Sequence, residues 1–435
     1  MAAKSREILQ LLFAALQAAR VYSPEHPHFK DLATKAYDLL TTALEEKREF
    51  TFGVIGDDVA CGEEILVDLA ARTRLLCLSL KEKSLDKVVF LAGLRKDEFI
   101  RFLSFIALPQ KRSEEDLANF MALEGIKNIK AGRLTKPVEA GSLEAGGQLP
   151  VSYNHALAGA AEMMARLSRN EPSLPLELRY FSLAILENYA GEYYNLLSLW
   201  PSLKPEQRLI AHSINTSLIV MTVTTGMGFS REDVLDLGLI ALFHDLGKMA
   251  TFGLAGFSEE KHMVTGARLL LAAKDSLSSL PAVVSLEHHL RFDLRGQPRL
   301  SGVAAPHEAS LLVAMGNIYD NLIRKWKDDS RFDPAFVFRL MTAEKGRVFA
   351  PDWLDRFFQA WGIWPEGFLV KLSNGTLAKV IRLNKSLLER PRVQVLKPEG
   401  QQDIIDLAKE KETLSIISGV SPFEPPEAGS GKLVP

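Results

Sequence analysis

His244 and Asp245 stand side by side at the end of an apolar run, Leu239–Phe243, and Lys248 follows three residues later in the segment LIALFHDLGK. An imidazole next to a carboxylate suits a borderline or hard divalent ion. Gly247 in the same segment lets the chain turn or lets a neighbouring backbone come close. Of nine histidines in the chain, five gather as candidate ligands in one stretch: His212, His244, His262, His288 and His289. The first three belong to different helical patterns. The last two are adjacent at a helix end, where fraying lets neighbouring side chains point to one place. Helical bundles build metal sites in this way, from inward side chains on facing helices. Several imidazoles with one certain carboxylate suit iron or manganese, with zinc as a further candidate, better than magnesium or calcium. Taken singly, each histidine reads as a satisfied core residue; gathered around Asp245, they read as a metal centre.

The elements that must position these residues are helices. Apolar residues recur at helical spacing over Ala156–Leu167, Leu176–Trp200, Glu206–Thr225, Arg231–Leu246, Glu259–Ala273, Ala282–Leu290, Glu308–Trp326 and Pro334–Thr342. Ser230 with Asp233 forms a capping-box-like start. Residues 151–345 therefore read as a helical domain. Residues 1–136 read as an α+β domain, with helical stripes at Ile8–Ala19, Leu32–Leu44, Leu66–Leu80 and Asp97–Ala107. Its strand candidates are Thr51–Ile55, Val59–Cys61, Val88–Leu91 and Ile126–Ala131, the first two joined by a Gly56-Asp57-Asp58 turn. His26 and His28 sit in the proline-broken loop YSPEHPHF, where loop packing explains them better than metal binding. This domain shows no catalytic motif, so a sensory role or a protein partner is the default expectation.

Residues 137–150, rich in Gly, Pro and Ser, read as a linker. Residues 346–400 read as an extension: a helix at Trp353–Trp361, strands at Phe368–Leu372 and Leu377–Leu383 around an Asn374-Gly375 turn, and a third strand at Val393–Leu396. Residues 401–435 read as a partly disordered tail. A net charge of −2 disfavours a general binder of nucleic acid polymers. Two cysteines, Cys61 and Cys77, exclude a disulfide framework and fit a reducing compartment. The N-terminus imitates a signal peptide, but Gln10 and Gln17 and its helical spacing favour an amphipathic helix. No apolar run is read as reaching the length of a membrane span, so a cytoplasmic protein is expected.

The helical domain resembles the HD superfamily of metal-dependent phosphohydrolases and, within it, the HD-GYP group of cyclic di-GMP phosphodiesterases. The resemblance rests on His212, HDLGK at 244–248, KHMVTGARLL at 261–270, EHHLRFDLRGQP at 287–298 and GNIYDNL at 316–322, and it covers about residues 151–397. In the family's HHExxDGxGYP pattern, His288, His289, Asp293, Gly296 and Pro298 match, whereas Leu290, Leu294 and Gln297 replace the Glu, the first Gly and the Tyr. The resemblance implies a mainly α fold: an HD-type helical bundle with a small C-terminal β extension behind an α+β N-terminal domain. It also implies two divalent ions, one held by His212, His244, Asp245 and Asn317, the other by Asp245 as a bridge with His262, His288 and His289. Where some members hold a third metal through a Glu one turn before the first His, this chain has Arg208. The implied chemistry is hydrolysis of a phosphodiester by activated water, with Lys248 neutralising a nonbridging oxygen.

Arg291, Arg295 and Arg299, with Asp293 among them, form either a cationic rim for a dianionic dinucleotide or a solvated loop. Asn317 stands where the family has a metal-binding Asp, which removes a charge from the first site. The expected substrate is cyclic di-GMP or another phosphorylated small molecule. The rival expectation is a related module that binds metal, nucleotide or a protein partner without turnover.

Overall fold

The computed structural model describes residues 2–55, 58–61, 64–65, 79–80, 82–83, 85, 87–107, 114–132, 149–171, 175–251, 259–273, 277–299, 302–325, 332–396, 403–410 and 413–423. The expected helix at Leu66–Leu80 lies almost wholly outside them, as do most of the expected linker and the end of the tail. The chain divides into two compact units, residues 1–136 with 174–180 and residues 137–173 with 181–435.

In the first unit, α1 (Ala2–Val21) packs against α2 (Pro27–Glu46), and both meet α3 (Lys96–Ala107). The antiparallel sheet runs β3-β2-β1-β4-β5, with β1 at Glu49–Ile55, β2 at Asp58–Cys61, β3 at Glu64–Ile65, β4 at Lys87–Leu91 and β5 at Ile129–Gly132. Phe50 pairs with Phe90 and Phe52 with Val88, which puts the aromatic face of β1 and β4 into a core with Phe99 and Phe102. His26 serves the local backbone. Its Nδ1 accepts from His28 N at 3.2 Å, capping α2 one residue before Pro27, while its ring stacks on Tyr22.

In the second unit the helices follow in order: α4 (Leu149–Ser168), α5 (Pro175–Tyr189, of which residues 175–180 count with the first unit), α6 (Tyr193–Leu199), α7 (Pro205–Gly226), α8 (Arg231–Phe243), α9 (Leu246–Thr251), α10 (Glu259–Ala272), α11 (Leu280–Glu287), α12 (Glu308–Arg324), α13 (Pro334–Ala343) and α14 (Pro351–Trp361). The single stripe expected over 176–200 is two helices, because Gly191 turns the chain at φ +80°. The helix expected to run through 246 stops at Phe243, so His244 caps α8 instead of continuing it.

α7 is the central strut, packed by α4, α8, α12 and α14. It is long and apolar enough to cross a membrane by length and composition, which corrects the sequence expectation. Yet 78% of that window is buried within the fold, where it carries His212 and Asn215.

The second sheet also departs from expectation. It has five strands, not three, in the order β10-β6-β7-β8-β9, with β6 at Leu369–Leu372, β7 at Leu377–Arg382, β8 at Arg392–Val395, β9 at Ile404–Asp406 and β10 at Ile416–Gly419. Part of the segment read as a disordered tail thus supplies both sheet edges. β10 returns to pair with β6, and Tyr194 Oη donates to Val420 O at 3.0 Å.

Candidate metal centre

The elements that bear HDLGK and His262 meet backbone to backbone, and the element that bears His288 reaches both through a serine side chain. A Cβ on Gly247 would lie 1.9 Å from His262 O and 2.7 Å from Gly266 N; one on Gly266 would lie 2.4 Å from Ser285 Oγ. Ser285 Oγ in turn donates to His244 O at 3.1 Å. Small residues therefore clamp α9, α10 and α11 together, and the clamp sets where the imidazoles emerge.

They emerge around one carboxylate. Asp245 Oδ1 lies 3.3 Å from His262 Nε2 and 3.3 Å from His288 Nε2. Asp245 Oδ2 lies 3.3 Å from His244 Nε2, 3.8 Å from His212 Nε2 and 2.7 Å from Lys248 Nζ. The ring of His289 lies 4.1 Å from that of His288. Two sets of ligand-type atoms, each within 4.8 Å of one another, share Asp245: His262, His288 and His289 in one, His212 and His244 in the other. His212, His244, Asp245, His262 and His288 are all buried.

The hydrogen bonds on the far side of each ring fix its chemistry. A carbonyl can only accept, so His244 Nδ1–H donates to Ala241 O at 2.7 Å and His288 Nδ1–H donates to Ser285 O at 2.8 Å. His212 Nδ1–H donates to the Asp320 carboxylate at 2.6 Å. Each ring therefore turns a bare Nε2 lone pair toward Asp245. Protonation does not relieve this crowding of acceptors. Burial pushes His212 below the ordinary imidazole range, His288 down to about 4 and His289 down to about 2. Burial works to raise Asp245, but the polar groups around it, His244 foremost, hold it well below the usual carboxylate range. His244 Nε2, Asp245 Oδ1 and His289 Nε2 are buried without a hydrogen-bond partner. Lone pairs aimed at an ionised carboxylate in a water-poor pocket require a cation between them. The donor set fits a divalent metal ion.

Asn317 lies beside the His212 side of this cluster. Its Oδ1 is 3.1 Å from His212 Nε2 and accepts from Asn321 Nδ2 at 2.6 Å. Sequence reasoning gave Asp320 no role, but the structure gives it a large one. Among the described residues its hydrogen-bond donors are His212, Arg324 Nε at 2.7 Å, Tyr193 Oη at 2.8 Å and Asn215 Nδ2 at 3.1 Å. Burial works to raise its pKa, but Arg324 and these hydrogen bonds hold it at about 2. Arg324 had a sequence signal that was missed: it stands one helical turn after Asp320.

The loop after His289 turns outward. Arg291 grips Asp293 in a bidentate pair at 3.0 and 2.8 Å, and Arg295 N donates to the same carboxylate. Arg295 and Arg299 are exposed. Leu294 keeps a left-handed backbone, φ +58°, where the family pattern has Gly. Gly296 has no room for a side chain, since a Cβ would lie 2.6 Å from His289 O. A cavity of about 220 Å³ opens beside His288, His289 and Arg291 and continues over apolar Leu311, Met315 and Phe349.

Residues 209–317 match the family model described as HD domain, an interval that holds every residue of both ligand sets. Cyclic di-GMP phosphodiesterase PA4108 of Pseudomonas aeruginosa is 30% identical over 256 residues, covering 54% of this chain and 59% of that protein. Cyclic di-GMP phosphodiesterase response regulator RpfG of Xanthomonas campestris pv. campestris is 30% identical over 147 residues, covering 31% of this chain and 38% of that protein. A cyclic di-GMP phosphodiesterase of Thermotoga maritima is 23% identical over 181 residues, covering 39% and 48%. The chain thus spans about three fifths of the length of the first of these relatives and less of the others.

Proposed function

We propose that this chain, whose residues 209–317 are an HD domain of HD-GYP-like sequence, is a metal-dependent phosphodiesterase that opens cyclic di-GMP or a related cyclic nucleotide to its linear form. The observation that carries the reading is the convergence of bare imidazole nitrogens on the ionised, buried Asp245. The resemblance to cyclic di-GMP phosphodiesterases supports the substrate.

In this reading His262, His288 and His289 hold one ion and His212, His244 and the Asn317 amide hold a second, with Asp245 between them. Bound ions would supply Lewis acidity and an activated water. The protein supplies the rest. Asp245 carries the negative charge that makes a cationic pocket possible, and neutral imidazoles complete it without adding repulsion. Lys248, anchored on Asp245 Oδ2 at 2.7 Å with 23% of its side chain exposed, presents an ammonium at the solvent side, where a nonbridging phosphate oxygen would lie. Asp293 holds Arg291 and the Arg295 backbone, so it acts as a loop anchor for cationic groups at the rim.

The second reading, binding without turnover, is favoured by Asn317: a neutral amide already engaged by Asn321 is a poor substitute for a carboxylate ligand. Protein purified without air, reconstituted with manganese or iron and incubated with cyclic di-GMP decides between them by chromatography. Linear product that disappears with His244→Ala is the expected result. Intact nucleotide with measurable binding would instead establish the non-hydrolysing module.

A further inference from the structure

We infer that Arg208, together with Arg324 on the face of Trp200, forms an anion subsite for a phosphate group beside the metal centre. The inference deepens the hydrolase reading and rests on it for the identity of the natural ligand.

Arg208 lies one helical turn before His212 on α7, so both side chains leave the same face of that helix. Its guanidinium sits over the Trp200 ring at 6.0 Å, and the Arg324 guanidinium covers the same ring at 4.1 Å. The two cations differ in their partners. Arg324 is spoken for: Nε pairs with Asp320 at 2.7 Å, and Nη2 reaches Asn321 Oδ1 at 2.7 Å and lies 3.0 Å from His212 Nδ1. Among the described residues, the hydrogen-bond partner of Arg208 is Pro201 O alone, at 3.3 Å from Nη2, and its Nε is buried without one. Among the described residues, no carboxylate comes within ion-pairing distance of it.

A half-buried guanidinium with an orphaned N–H and no counter-charge is an expensive arrangement unless an anion completes it. The planar fork matches a phosphate, and stacking on Trp200 preorganises it. Arg324, pinned by Asp320 and therefore rigid, adds positive field with no further ordering. The subsite lies beside His212, whose other face looks toward Asp245. Its occupant is thus a phosphate of the ligand other than the one at Asp245 and Lys248, as a cyclic dinucleotide or a polyphosphorylated nucleotide would provide. Arg208 binds and positions; it takes no part in bond breaking.

The test is calorimetric titration of the full chain, with and without manganese, using inorganic phosphate and cyclic di-GMP as separate probes. We expect Arg208→Gln to weaken both about tenfold or more, Arg208→Lys to recover part of the loss, and manganese content to stay at the wild-type level. In turnover, KM should rise by more than kcat falls. Unchanged affinity for both probes would overturn the subsite, as would a loss of manganese in step with a loss of phosphate binding, because Arg208 would then be supporting the ligands. If the chain neither binds nor cleaves cyclic di-GMP but binds inorganic phosphate in an Arg208-dependent way, the hydrolase reading fails while the subsite stands.

Discussion

Asp320 does for His212 what two backbone carbonyls do for His244 and His288: it takes the Nδ1 proton and so bares Nε2. Asp320→Asn keeps the shape and removes the charge, so metal affinity at the His212 site should fall by roughly 10–100-fold, measured by competition with a chelating dye. Asn317→Asp should act in the opposite sense. A carboxylate in place of the amide should tighten the same site on the order of tenfold, about 1.4 kcal/mol, and equal metal content in the two proteins would refute the role given to position 317. Acid should expose the buried imidazoles. In the unfolded chain His288 takes up a proton near its ordinary value of 6.5, whereas in the fold it does so at about 4, and His289 at about 2. The unfolded state therefore binds more protons below 6.5, and stability present above that pH is lost as pH falls toward 4. Asp245 and Asp320, both held low, add a further loss only below the usual carboxylate range. Thermal melts of the metal-free protein should be flat near neutrality and drop on the order of 10 °C between about pH 6.5 and 4. A melting temperature that rises in that window would contradict the assignment of neutral imidazoles.

At the scale of elements, the site depends on how closely α9, α10 and α11 approach. The Gly247–Gly266–Ser285 stack leaves no space for one methyl group, and the nearest obstacle is backbone, which cannot swing aside. Gly247→Ala should cost about 3 kcal/mol and reduce metal binding in parallel, read by denaturant melts and metal analysis on the same samples. A variant with wild-type stability would show that the helices tolerate a wider spacing than the structure has. The same residues illustrate what the sequence conveyed. HDLGK left a turn or a close approach open at Gly247, and the structure shows the close approach; its partners Gly266 and Ser285 are ordinary helix residues until the fold brings them together. Leu294 shows the reverse: a residue that disfavours left-handed backbone adopts it at φ +58° because the surrounding loop, held by Asp293 and by backbone bonds to Arg347 and Val348, over-determines its conformation.

Across the whole molecule, helical periodicity located the elements of the second unit well, because buried helix faces repeat at 3.6 residues and their breaks fall at Gly and Pro. It did not locate the split at Gly191 or the strands at 404–406 and 416–419. The first is a single positive-φ turn inside an apolar stripe. The second are short edge strands with partly exposed residues, whose pairing with β8 and β6 is a long-range matter. The histidines were legible as a group because imidazole is scarce in this chain. Their gathering around Asp245 was expected from the same residues and from the resemblance, but the Asp320–Arg324–Tyr193 network behind them was not, since no local pattern encodes which faces of α6, α7 and α12 meet.

The central claim is that neutral imidazoles and Asp245 form a cation site, and counting metal tests it most directly. Protein purified anaerobically, equilibrated with manganese and exhaustively dialysed should retain at least one ion per chain by mass spectrometry of the digested protein. His288→Gln should abolish that retention without unfolding the chain. Wild-type protein that dialyses free of metal, or a His288→Gln variant that keeps as much as wild type, would contradict the account.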